Sequence, residues 1–352
     1  MESQGFKVTR HYLGLETAWR AEYAQGKGGR VLGINSEMDA LPGIGHGCGH
    51  NLIAIGGVGV ALALKAVLQA NPKIPGNIIL LGTPAEETGG GKVILLDRGG
   101  YNEMDACIMC HPAPGPRHSA STGSTTALQR IVVEYYGHSA HAGAAPWEGT
   151  NALDAAFLAY SSISMLRQQI KPDHRVHGVI EGKHWQANVI PDYAKMSWMA
   201  RAPTYAELAS FVDRLRNCLS AAALATGCKV EFAVDQPYYD LHQNPVLVQD
   251  FADIVGSRYG VVTTPDGSSA STDFGNVSYA LPAFHPAYAI PTEPNGGNHT
   301  PGFARAAKTQ AAHDATMTVT KALALTGYRV LTDDHFFNGV RASFDAWKSL
   351  QI

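Results

Sequence analysis

Short apolar runs alternate with segments of helical length over the first hundred residues. Residues 31–34 (VLGI) and 77–83 (NIILLGT) predict buried strands, and residues 104–110 predict a third. Helices are predicted over residues 51–70 and 91–98. Strands that alternate with helices in this way are typical of an α/β domain whose mostly parallel sheet is flanked by helices.

The pattern changes in the middle of the chain. Longer strands with partial alternation are predicted over residues 129–136, 187–201 and 229–234, with helices over 150–169 and 205–226. The order β-α-β-β-α-β indicates a small α+β domain with a ferredoxin-like arrangement.

Helices predicted over residues 245–259 and 304–325 return to the first pattern. We therefore predict one α/β domain built from residues 1–123 and 237–352. The α+β domain, residues 124–236, is inserted between these two parts.

Composition excludes several classes of protein. The 352 residues carry 27 Lys and Arg against 30 Asp and Glu, a formal charge of −3, so we expect no nucleic-acid or membrane partner. The longest apolar run, residues 52–64, is too short for a membrane span. Five cysteines are too few for a disulfide scaffold, and the N-terminus lacks an apolar secretory signal. We expect a cytoplasmic protein.

Candidate chemical groups follow the ends of the predicted strands, where open α/β sheets bind ligands. They are Asp39, Cys48, His50, Glu86, Glu87 and His111, with His299 in a later loop. Thiolate, imidazole and carboxylate are ligands that a divalent ion such as Zn²⁺ accepts, and a second glutamate next to a ligand can take a proton from water. Each residue taken singly has a structural interpretation as well, so the residue types leave a metal site and structural roles both open.

A competing motif lies at residues 107–111, where Cys107, Cys110 and His111 form the Cys-x-x-Cys-His pattern of c-type haem attachment. This hypothesis requires export to a compartment that attaches haem. Side chains of a strand alternate between its faces, so the two cysteines of a strand are predicted on opposite faces and unable to act as one clamp.

Seven ordered motifs resemble those of the M20 metallopeptidases, in particular the amidohydrolase branch and its dipeptidases of the β-alanyl-lysine or Xaa-Arg type. The resemblance covers nearly the whole chain. The motifs are EMDALP (37–42), HGCGH (46–50), GTPAEE (82–87), HPAP (111–114), GHSAHAG (137–143), NVIP (188–191) and HTPGF (299–303), with GTPAEETGGGK and STDFGNVS as finer matches.

The resemblance implies an enzyme that cleaves the amide bond of small N-acyl amino acids or dipeptides with two divalent ions, Zn²⁺ or Mn²⁺, with Co²⁺ as a further alternative. Glu86 would be the general base that activates a water bridging the ions, and Asp39 would orient a ligand. The metal ligands implied are Cys48, His50, Glu87, His111 and His299.

The same resemblance implies that the inserted domain is a lid that mediates a homodimer. His141 would reach the partner's active site to stabilise the oxyanion, and its place in the motif favours it over His138. Asn188 and Arg201 would bind substrate, with Arg201 gripping a carboxylate. A basic leaving amino acid such as lysine or ornithine is expected.

Two points depart from the family pattern. Asn51 stands where many members of the branch have Asp, and it receives no role. The family also carries a helical segment before the position at which this chain starts, so we expect an N-terminally truncated catalytic domain. The alternative function is that of a non-catalytic binding or scaffold protein, and the intact Glu86 argues against it.

Overall fold

A computed structural model of the chain describes residues 1–351. The chain forms two compact units, one of Met1–Thr125 with Leu241–Ile352 and the other of Thr126–Asp240. These divisions fall within a few residues of the boundaries expected from the sequence.

The described residues form fourteen strands and nine α-helices. The strands are β1 (Lys7–Arg10), β2 (Trp19–Gln25), β3 (Val31–Glu37), β4 (Gly76–Thr83), β5 (Ala106–Ile108), β6 (His111–Pro114), β7 (Ser119–Ser121), β8 (Ala127–Tyr136), β9 (Arg175–Gly182), β10 (Tyr193–Ala202), β11 (Lys229–Val234), β12 (Val262–Thr264), β13 (Ala283–Phe284) and β14 (Ala287–Ile290). The helices are α1 (His50–Ala70), α2 (Gly91–Asp97), α3 (Ala152–Leu166), α4 (Tyr205–Thr226), α5 (Pro245–Tyr259), α6 (Phe274–Ala280), α7 (Pro301–Ala306), α8 (Gln310–Thr332) and α9 (Asp334–Lys348).

A six-stranded sheet organises the first unit, in the order β1-β2-β4-β3-β5-β13. Strands β4, β3, β5 and β13 run parallel to one another, while β1 and β2 are antiparallel additions at one edge. A second sheet of this unit, β12-β7-β14-β6, begins where β5 ends, because His111 opens β6 and pairs with Ala287 of β14. The ends of the parallel strands and the start of β6 position the candidate site.

Helix α1 packs against β3 at the centre of the first unit. Leu52, Val60 and Leu64 of α1 are buried in the core. A Cβ atom at Gly57 would lie 2.9 Å from the Asn35 carbonyl oxygen, so this glycine permits the close approach of helix and strand. By length and hydropathy α1 could span a membrane, but half of its apolar window is buried, as in the core helix of a globular protein.

The second unit is a four-stranded antiparallel sheet, β11-β8-β10-β9, with α3 and α4 packed on it. Its core includes Trp198, Tyr135 and Phe211, which are almost completely buried. The chain order of its elements is β-α-β-β-α-β. Together with the mostly parallel sheet of the first unit, this confirms the predicted fold class.

One predicted strand was wrong in its extent within the second unit, and another strand was missed. The predicted strand over residues 187–201 begins only at Tyr193, so Asn188 lies in a loop, and β9 was not predicted. Pro191 explains the late start, since proline has no N–H group to donate to a strand ladder. Polar and glycine residues interrupt the apolar pattern of β9, which hides its strand character.

The C-terminal region also differs from the prediction of one helix over residues 304–325. The structure has α7, α8 and α9 instead, and α8 continues to Thr332. New helices begin because Thr309 accepts a hydrogen bond from the Ala312 N–H at 3.2 Å and Asp333 accepts one from Phe336 at 2.9 Å. Side chains that cap a helix in this way define its first turn.

Helix α9 is anchored by an aromatic stack that gives stability a pH dependence. The rings of His242 and Trp347 are 3.7 Å apart and nearly parallel, at 8°. Burial lowers the pKa of His242 from its ordinary 6.5 to about 4. The unfolded chain therefore takes up a proton at this residue before the folded chain does, and stability falls as pH drops from about 6.5 to about 4.

We expect the His242→Phe variant to lose less unfolding free energy than the parent between pH 7.5 and pH 5.0. Phenylalanine keeps the stack on Trp347 and has no proton to bind. Urea unfolding at the two pH values measures the difference, and all other titrating groups are common to both proteins. Equal pH dependence of the unfolding free energy in the two proteins would contradict a lowered pKa of His242 in the folded chain.

Candidate active site

Most of the candidate ligands meet at one edge of the six-stranded sheet of the first unit. Asp39 follows β3, Glu86 and Glu87 follow β4, and His111 opens β6 directly after β5. Cys48 lies two residues before His50, the first residue of α1, and His299 lies in the loop before α7. The structure thus brings together every metal ligand predicted from the sequence.

Tight backbone turns bring these residues to the same point. Gly49 has a left-handed φ of 83°, and a Cβ atom there would lie 2.6 Å from Cγ of Pro112. Only glycine therefore allows α1 to start beside Pro112 and His111. Ala85 and His299 also adopt left-handed φ values, 61° and 67°, a rare conformation that clusters at functional sites.

The candidate ligands form two groups that share one sulfur atom. Cys48, His50 and His111 make up the first group, and Cys48, Glu87 and His299 make up the second. Within each group the ligand atoms lie within 4.8 Å of one another. Sγ of Cys48 is 3.4 Å from Nε2 of His111, and Nε2 of His299 is 3.2 Å from Oε2 of Glu87. Such an arrangement suits two cations joined by a thiolate.

His50 is surrounded by carboxylates. Its Nδ1 is 3.2 Å from Oδ1 of Asp39, and its Nε2 lies 3.6 Å from Glu37 and 3.8 Å from both Glu86 and Glu87. Burial by itself lowers the pKa of His50, but the surrounding negative groups outweigh burial and raise it to about 12. A position that attracts a proton so strongly also attracts a divalent cation.

Cys48 lies in an environment that favours its thiolate. Burial raises the pKa of the thiol, but the hydrogen bonds and positive charge of His111, His299 and His50 lower it to about 5. The hydrogen bonds of His299 to Cys48 and Glu87 raise its own pKa to about 10. The thiolate is the form of cysteine that binds metals.

Asp39 connects two of the candidate ligands. Its Oδ1 faces Nδ1 of His50, and its Oδ2 accepts a hydrogen bond from the backbone N–H of Glu87 at 3.0 Å. Burial raises the pKa of this carboxyl, but the two hydrogen bonds lower it to about 2, so Asp39 is ionised near neutral pH. A carboxylate on Nδ1 leaves Nε2 of His50 for a metal.

Glu86 is buried between the candidate ligands and a second set of charges. Burial raises the pKa of Glu86 well above its usual range, and the negative charges of Glu37 and Asp273 act in the same direction. A carboxyl group whose pKa lies closer to neutrality can both accept and return a proton.

The atoms of the site fit divalent metal ions. Nε2 of His50 and Oε1 of Glu87 are buried without a hydrogen-bond partner among the described residues. A buried polar atom without a partner is costly, and a bound cation would satisfy both atoms. Sulfur, nitrogen and carboxylate oxygen together suit Zn²⁺, Co²⁺ or Mn²⁺.

The two cysteines of the haem-like motif are separate from this site. Cys107 and Cys110 are almost completely buried and pack in different hydrophobic clusters. Burial raises the pKa of Cys110 to about 12 and that of Cys107 further still. Both therefore act as apolar core residues, and only His111 of the motif reaches the candidate ligands.

Several polar residues of this region were not predicted from the sequence. Lys92 contacts Glu37 and Asp273, and all three are fully buried. Nδ2 of Asn298 donates to the backbone oxygens of Cys48 and Pro112 at 3.3 and 3.2 Å. Glu37, Lys92 and Asp273 each lie in a motif that the sequence analysis identified. The order of these motifs along the chain does not show that the three side chains meet.

His285 and Asn51 lie beside the candidate ligands without belonging to either group. The ring of His285 lies 6.0 Å from that of His111, is buried, and has no hydrogen-bond partner at either nitrogen among residues 1–351. Burial lowers the pKa of His285 to about 3, so it is neutral. Asn51 donates to the Ala307 carbonyl at 3.0 Å, which ties the start of α1 to the chain after α7.

The remaining predicted residues lie in the second unit. His141 is exposed, and its Nδ1 accepts hydrogen bonds from the backbone N–H groups of Gly143 and Ala144, so in the neutral ring the proton is on Nε2. The Asn188 carbonyl accepts from the Ala142 N–H at 3.0 Å, so the segments of His141 and Asn188 are adjacent.

Arg201 and His138 also belong to the second unit. Arg201 is half-buried near the end of β10, and burial lowers its pKa below the usual value. His138, the alternative to His141, pairs through its backbone with Thr150.

Known proteins are similar to this chain in sequence and in fold. Residues 33–318 match the profile of peptidase family M20/M25/M40. The Xaa-Arg dipeptidase of Mus musculus is 42% identical over 346 residues, which are 95% of this chain and 79% of the relative. The Xaa-Arg dipeptidase of Homo sapiens is 39% identical over 353 residues, 96% of this chain and 79% of the relative.

Solved structures share the fold. The YXEP protein of Bacillus subtilis, a dinuclear metal binding peptidase from the M20 family, has a TM-score of 0.70 and 20% identity. The alignment covers 94% of this chain and 89% of that one.

We expect Cys48→Ala to lose binding of both metal ions, because Cys48 belongs to both ligand groups. Cys110→Ala is the matched control, since Cys110 is a buried cysteine of the same region outside both groups. Equilibrium dialysis against Co²⁺, with metal content and the thiolate-to-cobalt absorption band as readouts, measures the loss. Parental binding by Cys48→Ala would contradict the shared-thiolate assignment.

Proposed function

Because this chain belongs to peptidase family M20/M25/M40, as its motifs indicated, we propose that it hydrolyses the amide bond of dipeptides or N-acyl amino acids with two divalent ions. The observation that carries this proposal is the pair of ligand groups around Cys48 with Glu86 buried beside them. Cys48, His50 and His111 would hold one ion, and Cys48, Glu87 and His299 the other.

The bound ions would polarise the scissile carbonyl and make a water molecule acidic enough to attack it. Glu86 accepts the proton from the attacking water and then gives it to the leaving nitrogen, so its carboxylate is regenerated in each cycle. A pKa raised by burial suits this double role, because the group must hold the proton between the two steps.

The surrounding residues hold the participants in place. Asp39 fixes the ring of His50 through Nδ1 and the loop of Glu87 through its backbone N–H. The Asn298 side chain supports the backbone of Cys48 and Pro112. These contacts keep the ligand atoms in one arrangement and reduce the reorganisation needed when the ions bind.

The substrate is proposed to carry a basic amino acid on its leaving side. The Xaa-Arg dipeptidases that this chain resembles point to such substrates, as do the finer motif matches. Arg201 would bind the substrate carboxylate through its planar guanidinium, and Asn188 would donate a hydrogen bond to the substrate. Dipeptides ending in arginine, lysine or ornithine are therefore the first to test, with neutral and acidic dipeptides as controls.

We expect Glu86→Gln to lower kcat by about 10²–10⁴-fold, because the amide cannot accept the proton of the attacking water. Metal content should stay close to parental, since both ligand groups that contain Cys48 remain intact; Glu86 belongs only to a further group, with Glu37 and His50. Turnover of a dipeptide panel by metal-reconstituted protein, with parallel metal analysis, measures both. Glu148→Gln, which alters an exposed glutamate, is the control. Parental turnover by Glu86→Gln would favour the non-catalytic binding protein.

We further propose that the chain works as a homodimer in which His141 serves the partner's active site. The Nε2–H of a neutral His141 is a suitable donor to a developing oxyanion. The exposed position of His141 leaves the ring accessible to a second chain.

Mixing two inactive variants tests this proposal. Glu86→Gln and His141→Ala are each expected to be nearly inactive, but a mixed dimer would contain one site with both residues intact. Refolding or exchanging the two variants together should therefore restore part of the activity. Proteins that stay inactive after mixing, with dimers shown to have exchanged by light scattering and mass labels, would exclude a contribution of His141 in trans.

A further inference from the structure

Three motif residues without a role in the reaction meet in the interior of the first unit. Glu37 is the last residue of β3, Lys92 lies in the first turn of α2, and Asp273 immediately precedes α6. Nζ of Lys92 contacts Oε1 of Glu37 and lies 2.6 Å from Oδ1 of Asp273. All three side chains are 0% exposed.

Asp273 holds Lys92 at two points. Its Oδ1 accepts a hydrogen bond from the ammonium group, and its Oδ2 accepts one from the backbone N–H of the same lysine at 2.9 Å. Gly90, the residue that precedes α2, has no side chain to cap the helix. A carboxylate from a distant part of the chain therefore fixes both the side chain and the backbone at the start of α2.

The loop between β4 and α2 carries Glu86 and Glu87, and contacts from other parts of the chain hold its backbone in place. Ala85 has a left-handed φ of 61°, and a Cβ atom at Gly91 would lie 1.8 Å from the Pro84 carbonyl oxygen. The loop is thus tightly wound in a conformation that is unfavourable by itself. Asp39 holds its middle through the N–H of Glu87, and Lys92 lies just after its end.

The cluster also reaches the candidate ligands. Oε2 of Glu37 lies 3.6 Å from Nε2 of His50. Stability alone does not explain a buried lysine between two carboxylates, because desolvation of the three charges offsets much of their attraction. A role in fixing geometry explains why charged groups occupy this position instead of apolar ones.

We propose that Glu37, Lys92 and Asp273 form a buried clamp that positions the loop of Glu86 and Glu87 against His50. The three are positioning residues, since none of them is proposed to touch the substrate. The inference rests on the proposed hydrolase function for its kinetic consequence, but the clamp itself is a property of the chain and can be measured without metal or substrate.

Asp273→Asn is the first test, because the amide has the same shape and removes the charge that holds the ammonium group. We expect kcat to fall by about 10–100-fold with KM nearly unchanged, as for other residues that orient metal ligands. On metal-free protein we expect faster amide hydrogen exchange at Glu86, Glu87 and Lys92. Asp250→Asn is the matched control, since Asp250 is a buried carboxylate paired with Arg329 outside the cluster.

The triple variant Glu37→Gln/Lys92→Met/Asp273→Asn separates positioning from the cost of an unpaired buried charge. It neutralises all three side chains, so none of them is left as a buried charge without a partner. We expect its thermal stability to lie close to that of the parent, while kcat stays low and the loop amides exchange faster. If Asp273→Asn does not fold, this variant still tests whether the clamp positions the loop of Glu86 and Glu87.

Three results would overturn the clamp. They are parental exchange of the loop amides in Asp273→Asn, parental kcat in the triple variant, and loop exchange that rises equally in Asp250→Asn. A parent that cleaves nothing in the dipeptide panel would refute the proposed hydrolase instead, and the exchange measurements on metal-free protein would still decide the clamp.

Discussion

One imidazole, that of His50, holds the candidate site together. Four carboxylates surround it, with Asp39 on one ring nitrogen and Glu37, Glu86 and Glu87 on the other. So many negative groups repel one another unless positive charge lies between them. A cation bound among these carboxylates would balance their charge, and the thiolate, imidazole and carboxylate groups at the strand ends suit such a cation.

The charges of the first unit are arranged at two depths. Cys48, Glu87 and His299 lie at the more accessible side, where His299 is 57% exposed, and they would bind an exchangeable ion. Lys92, fully buried with Glu37, supplies a permanent positive charge behind them. The ammonium group of Lys92 is part of the chain and cannot dissociate as a metal ion can. Glu37 and Asp273 therefore keep a positively charged partner whether or not ions are bound.

The sequence was sufficient for the fold class, the family and the convergence of the ligands, because strand ends and ordered motifs are local signals. Prediction from the sequence failed for contacts between residues that lie far apart along the chain. Lys92 and Asp273 are 181 positions apart, and only the fold shows that one carboxylate holds both ends of one lysine. Helix α9 is a different case, since Phe336, Val340 and Phe344 follow a helical spacing that could have been recognised.

The candidate chemistry of the first unit depends on fixed geometry. The first unit supplies charged groups fixed by a sheet and buried contacts, which suits ions and a proton-transferring carboxylate that must not move during the reaction. The charged cluster of the first unit is therefore expected to stay constant among relatives, because any single change in Glu37, Lys92 or Asp273 leaves a buried charge without its partner.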